Sequence, residues 1–326
     1  MMKKKVAFVL ATGVTAVALS ACGGGDSAED YPNDSIEMVV PWGAGGDTDV
    51  INRITTDYLE DELGTSITIT NMSGGGGAIG AQEALNADND GYTILAGHDS
   101  IAVSYLMDQT DFHYFDFEPV SLMTSANQLL ATNIDNEWDS MEDVIDDVAD
   151  DPESISFGAT VGSTTHVVPL GIQNDAGVEF NFVNYEDTAE RTQALLGNHV
   201  DIVPTTVPAA EEYIEADEIK ILGILADERN EALPEVETLE EQGIDFTFGT
   251  NRGYFFPEDT PDEIVDQWDE ALGNVAENED FQQEIEEMGV EINYLDRDEY
   301  NEYLENDLHE MEDILEEQGA LEREVE

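Results

Sequence analysis

Basic side chains are nearly absent from this 326-residue chain: 10 Lys and Arg stand against 76 Asp and Glu. Three of the ten, Lys3, Lys4 and Lys5, lie at the extreme N-terminus, and Lys220 is the only lysine after them. So large an excess of negative charge excludes nucleic acid and anionic membrane surfaces as partners, because both would repel it. Cysteine is almost missing too. Cys22 is the single one, which excludes an internal disulfide and leaves no thiol cluster for a structural zinc. The five histidines, His98, His113, His166, His199 and His309, show no metal-ligand spacing, so neither a metal nor any other cofactor is expected. The one predominantly apolar run, Val6 to Ala18, is 13 residues long, too short for the roughly 20 that a membrane-spanning helix needs. No internal repeat at solenoid spacing is present.

The N-terminus reads as an address. Three lysines ahead of a short apolar run make a secretory signal, and the run ends in Leu19-Ser20-Ala21-Cys22, which resembles the lipobox of bacterial lipoproteins. Residues 1–21 are therefore expected to be removed, leaving Cys22 as a lipidated N-terminus. Two acyl chains there would hold a soluble domain on the outer face of the cell membrane, or on the periplasmic side where an outer membrane exists. That anchor is the only membrane contact expected. A soluble secreted chain with an incidental cysteine is the alternative. Residues 22–31, beginning Cys22-Gly23-Gly24-Gly25, read as a flexible polar tether.

The acids are dispersed among ordinary apolar periodicities, unlike a disordered acidic tail. Salt reconciles a packed core with such a charge. At about 1 M ionic strength the Debye length is about 3 Å, so surface carboxylates cease to repel one another. Adaptation to a strongly saline habitat is predicted.

Beyond residue 21 the chain is long for a single core and comfortable for two domains. Ser35 to Pro41 reads as a strand, Trp42 to Asp49 as a glycine-rich loop and Val50 to Leu63 as a helix. The unit repeats with a strand over Ser66 to Asn71, a loop over Met72 to Gly77 and a helix over Ala78 to Ala87, before a strand over Tyr92 to Ala96. A second series starts at Leu129: strand to Thr132, helix Met141 to Asp150, strand Ser154 to Gly158, helix Val167 to Gly177. Asp187 to Gly197 is helical, and Ile202 to Pro204 and Ile219 to Ile224 are short strands. Strands alternating with helices predict parallel sheets in two α/β lobes. Near the C-terminus, Thr260, Pro261 and Glu263 fit a helix N-cap, first position and third position, opening an amphipathic helix to Glu277. A last helix runs from Asp298 to Gln318.

Several stretches together carry a resemblance: Ile36 to Asp49, with its Pro41-Trp42-Gly43-Ala44-Gly45-Gly46; Asn71 to Ala81, with four consecutive glycines; Asp90-Gly91-Tyr92-Thr93; Gly162 to His166; Ala194 to Asp201; and Leu233 to Leu239. Their order and spacing resemble the receptors of tripartite tricarboxylate transporters, also called the Bug family. The resemblance implies an α/β, two-lobed fold of the periplasmic-binding-protein type (type II) with a ligand cleft between lobes. It also implies a discontinuous first lobe, residues 32–127 plus 250–326, around a second lobe of residues 128–249. The function implied is capture of a small carboxylate, a di- or tricarboxylate or related organic acid, for delivery to the membrane subunits of such a transporter. An accessory receptor feeding a two-component sensor is the alternative. No catalytic residue is expected, because no base, nucleophile and oxyanion site converge. Monomer is the default state.

A glycine-rich loop running into a helix leaves unpaired N–H groups and the positive end of the helix dipole at one place, an anion site needing no basic side chain. Gly43 to Gly46 supply one such loop. By resemblance, Trp42, Gly43, Ala44, Gly45 and Gly46 from one lobe and Gly162, Ser163, Thr164 and His166 from the other hold a carboxylate, with Asp49 anchoring the first loop. Gly76, Asp99, Ser100, Tyr185, Asp201, Thr205 and Thr206 complete the expected cleft. The chain departs from the family pattern at Asp47, where a small neutral residue is usual, and at Asn184-Tyr185-Glu186-Asp187. Both changes bring acid to the cleft, as salt adaptation or to meet a cationic or hydroxyl group on the ligand. Mono-, di- and tricarboxylates and amino-acid-like ligands all remain open. Gly75 to Gly80 also fits the dinucleotide pattern G-x-G-x-x-G, but a run of four glycines meets it easily.

Overall fold

The computed structural model describes residues 31–317 and 319–325. The signal, Cys22 and the tether up to residue 30 lie outside the described residues. Tyr31, assigned to the tether, is instead built into the fold. Its hydroxyl donates to the Gly91 carbonyl at 2.6 Å and accepts from Trp268 Nε1 at 2.8 Å.

A strand covered on both faces must be apolar nearly throughout, and β1 (Ile36–Val40) buries four of its five residues. It pairs in parallel with β2 (Ile67–Asn71) and β3 (Thr93–His98). Between them run α1 (Asp47–Leu63), α2 (Ala78–Leu85) and, after β3, α3 (Ser100–Leu106). The long β4 (Phe117–Asn127) crosses the molecule and continues past Gln128 as β5 (Leu129–Asn133) in a second sheet.

That second series comprises α4 (Met141–Asp150), β6 (Ser156–Ala159), α5 (Thr164–Ala176), β7 (Asn181–Asn184), α6 (Thr188–Leu196), β8 (Ile202–Thr205), α7 (Val207–Glu215) and β9 (Ile219–Ile224). The chain then returns to the first sheet as β10 (Gly249–Pro257), followed by α8 (Asp262–Ala276), α9 (Glu279–Glu287), β11 (Glu291–Leu295) and α10 (Arg297–Glu317). The strand orders are β11-β4-β10-β3-β1-β2 and β7-β6-β8-β5-β9.

Both sheets are mixed, not purely parallel. β10 is antiparallel to β3 and β4, and β5 is antiparallel to β8 and β9. β4 was hidden in the sequence because Pro119 sits inside it, and proline argues against a ladder position; the register of β10 on β4 slips around Gly253 to Phe255, beside the Pro119 pairing. Trp268 of α8 is fully buried against the first sheet with Ile36, Met38 and Phe256. The N-cap assigned to Thr260 is a further correction: its hydroxyl donates inward to the Pro257 carbonyl at 2.8 Å, and Pro261 itself precedes α8 without a side-chain cap. Among the described residues no helix is long and apolar enough to cross a membrane.

Candidate functional site

Parallel strands deliver their carboxyl ends to one crevice, and open α/β sheets bind ligands there. β1 and β3 from the first sheet, and β6, β7 and β8 from the second, end in the loops that carry Trp42, His98, Thr160, Glu186 and Thr206 around a cavity of about 100 Å³. Four helices begin at this cavity, because their N-caps Gly46, Ser163, Asp187 and Thr206 all line it. Three of these caps make no side-chain cap hydrogen bond; only Asp187 does, accepting from Glu190 N at 2.9 Å. Each free helix start presents roughly half a positive charge and unpaired N–H groups.

The two lobes are in contact around the cavity. Ser104 Oγ donates to the Gly162 carbonyl at 2.6 Å, Thr206 Oγ1 to Asp47 Oδ2 at 3.1 Å, and the Thr164 amide to Ser100 Oγ at 3.3 Å. Gly76 lies so close to the second lobe that a Cβ there would be 3.0 Å from the carbonyls of Val161 and Gly162.

Of the residues expected in the cleft, Trp42, Gly43, Ala44, Gly46, Ser163, Thr164, Thr205 and Thr206 line the cavity. The others stand behind it or beside it. Gly45, at φ +83°, turns the loop and donates to Asp49 Oδ2 at 2.8 Å. Asp49 also accepts from Arg53 and from Asn71 Nδ2, so it holds the loop and not a ligand, and these partners keep its carboxyl below the ordinary range despite burial. Gly76, Gly162 and Ser100 form the contact between lobes. Asp99 is buried behind the cavity, accepting from the Asn251 amide at 2.7 Å. His166 turns away against Met107 Sδ at 3.3 Å and the Phe182 ring, where burial pulls its pKa down to about 4. The Tyr185 ring covers Gly158, and Asp201 ties β6 in place by accepting from Ser156 N and Oγ at 2.8 and 2.5 Å.

Two arginines that sequence reasoning passed over line the cavity. Arg252, from β10, is 4% exposed; its Nη2 donates to Asp47 Oδ2 at 2.5 Å and its Nε to Thr48 Oγ1 at 3.1 Å. Arg191, from α6, is equally buried; its Nη1 and Nη2 donate to Thr160 Oγ1 at 2.7 Å and Thr188 Oγ1 at 3.1 Å, while its Nε has no partner. Burial pulls the Arg191 pKa down to about 10, against the opposing pull of Asp47 and Asp187, so it is charged at neutral pH. Gln128, at the crossing between sheets, donates to Thr250 Oγ1 at 2.8 Å and leaves its Oε1 unpaired. His98 stacks on Trp42, ring centres 3.7 Å apart, and accepts from the Ser100 amide at 3.1 Å; burial, then Arg252, keep it neutral. A weak signal for Arg191 existed: it is one of only seven basic residues after Lys5, four positions beyond Asp187.

Residues 51–320 match the family described as tripartite tricarboxylate transporter family receptor. The chain is 31% identical to protein BugT of Bordetella pertussis over 222 residues, covering 67% of this chain and 68% of that protein. Among solved structures it is similar to the periplasmic binding protein BugD, with TM-score 0.84 at 24% identity over 89% of this chain and 99% of that one. It is also similar to Rpa4515 of R. palustris, solved with adipate, with TM-score 0.85 at 25% identity over the same shares.

Proposed function

This chain belongs to the tripartite tricarboxylate transporter receptor family, a family of solute-binding proteins and not of enzymes, and on that premise we propose that it captures a small carboxylate outside the cytoplasm and presents it to the transporter's membrane subunits. The observation that carries the reading is the cavity where four helix starts meet and which the buried Arg191 helps to line. Amide donors and a buried guanidinium stabilise an anion in a place where water is displaced and their interactions are strengthened. Rpa4515 with adipate, and MatC of Rhodopseudomonas palustris with malate at TM-score 0.81, support a carboxylate for this chain.

In this reading Trp42, Gly43, Ala44 and Gly46 offer main-chain contacts from a lobe of residues 32–127 and 250–326. Ser163, Thr164, Thr205 and Thr206 offer contacts from the lobe of residues 128–249. Cys22 carries the lipid that holds the receptor, as a monomer, at the outer face of the membrane, and the acidic surface fits a saline exterior. A ligand that binds only the folded state raises apparent stability. The test is a thermal-shift panel of mono-, di- and tricarboxylates and amino acids in molar NaCl. At least one member should raise the melting temperature in proportion to the logarithm of its concentration; no shift with any of them sinks the proposal.

A further inference from the structure

Among the described residues, every lysine and arginine but one forms an ion pair with a carboxylate: Arg53, Lys220, Arg229, Arg252, Arg297 and Arg323 all do. The exception is Arg191. In a chain with acids in such excess, a buried guanidinium left without a carboxylate is costly unless something else supplies one. Arg191 lines the cavity, and its buried Nε has no partner among the described residues.

The cavity wall is not simply positive. Asp187 uses Oδ1 to cap α6, while its Oδ2 makes no protein hydrogen bond and points at the first lobe, 3.3 Å from where a Cβ on Gly43 would stand. Asp47 gives Oδ2 to both Arg252 and Thr206 and leaves Oδ1 without a protein partner. Asp47 and Asp187 both lie near enough to Arg191 to act on its charge, so one small molecule can reach both kinds of group. A second carboxylate on the ligand would meet two carboxylate oxygens, whereas a protonated amine would satisfy them.

We infer that the cavity is bipolar and selects a zwitterion: Arg191 pairs with the ligand's carboxylate, and Asp187, with Asp47, accepts from an ammonium group on the same molecule. This inference rests on the carboxylate-receptor reading and narrows it to amino acids over plain di- and tricarboxylates. Asp187 and Arg191 are thus the specificity-determining pair, one turn apart on the same helix start.

The test is isothermal titration of the full chain in molar NaCl with matched pairs that exchange an α-ammonium for a hydroxyl: L-alanine with L-lactate, L-serine with glycerate, and L-aspartate with L-malate. Adipate and citrate serve as plain polycarboxylates. For the pair that binds best, the amine member should bind about tenfold or more tighter, the scale of one hydrogen bond to a charged group. Asp187→Asn keeps the helix cap and should shrink that preference to below about threefold. Arg191→Gln should weaken both members about a hundredfold, with Arg191→Lys in between; circular dichroism and the ligand-free melting temperature of each variant exclude a folding defect. Equal or tighter binding of malate, adipate or citrate overturns the zwitterion assignment and leaves the receptor reading standing. Wild-type affinity in Arg191→Gln overturns the role of the guanidinium. Failure of every compound to bind removes the receptor reading and this inference with it.

Discussion

Asp99 and Asp307 are carboxyls enclosed by aromatic side chains, directly behind the cavity. Tyr114 donates to Asp307 Oδ2 at 2.6 Å, Tyr303 lies between the two acids, Tyr300 is buried alongside, and Arg252 and Asn251 face Asp99 from β10. Burial pushes the Asp307 pKa up from 3.8 to about 7, against the hydrogen bonds from Tyr114 and Tyr303, and raises Asp99 by desolvation and by its neighbour Asp307. The folded chain therefore holds a proton between about pH 4 and pH 7 that the unfolded chain has released. Stability contributed by this group is present at the acid side of that window and is lost as pH rises through about 7. Asp307→Asn should remove this contribution, so that the wild type loses more stability than the variant, by up to a few kcal/mol, between about pH 5 and pH 8. Urea unfolding at the two pH values checks it, and parallel pH curves for the two proteins would refute it. At Gly43, a methyl group would stand 3.3 Å from Asp187 Oδ2. Gly43→Ala should therefore lower ligand affinity by about tenfold or more, read by titration with the ligand that binds best.

Helices whose start signals are local behave as independent cassettes. Ser140 and Asp143 close a reciprocal cap on α4, Asp143 N donating to Ser140 Oγ at 3.2 Å and Ser140 N to Asp143 Oδ2 at 3.1 Å. Ser140→Ala should cost about 1 kcal/mol, read as a lower urea midpoint at unchanged slope. Gly80 of α2 faces β1 so closely that a Cβ would lie 2.7 Å from Pro41 Cβ and 2.9 Å from the Met72 carbonyl. Gly80→Ala should destabilise by about 1–3 kcal/mol through overpacking, and a midpoint at or above wild type would show that the helix shifts freely. The same contrast explains what could be read from the residues. α4 spans the predicted Met141 to Asp150, and β9 the predicted Ile219 to Ile224, because apolar periodicity and caps are local. β4, β7, β10, β11, α3, α7 and α9 escaped notice: β4 contains Pro119, β7 and β11 are largely uncovered edge strands, and edges need no apolar run. The cavity was legible where loops run straight into helices, at Trp42 to Gly46 and Ser163 to Thr164. It was illegible where it depends on juxtaposition, since nothing local ties Arg252 to Asp47, some 205 positions away.

At the scale of the whole molecule two electrostatic effects oppose each other, and their sign under salt decides which governs. Arg297 gathers Glu118, Asp262 and Asp266, Arg229 gathers Glu237 and Glu241, and Arg323 gathers Asp108 and Asp111. Added salt weakens such exposed pairs, but each contributes only about 0–1 kcal/mol. Against them stand 76 acids with 10 bases in the chain, so most carboxylates have no cation and repel their neighbours. Repulsion is long-ranged at low ionic strength and disappears when the Debye length shrinks to about 3 Å near 1 M. It also acts between lobes that face each other across Asp47, Glu186 and Asp187, so screening should favour closure as well as folding. The melting temperature should therefore rise steadily as NaCl increases from about 0.1 M to a few molar, and ligand affinity should rise with it. An uncharged osmolyte at equal osmolality controls for preferential hydration and should produce only part of the effect. A chain that melts highest at low salt would show that its few ion pairs outweigh the mutual repulsion of its acids, and the saline assignment would fall.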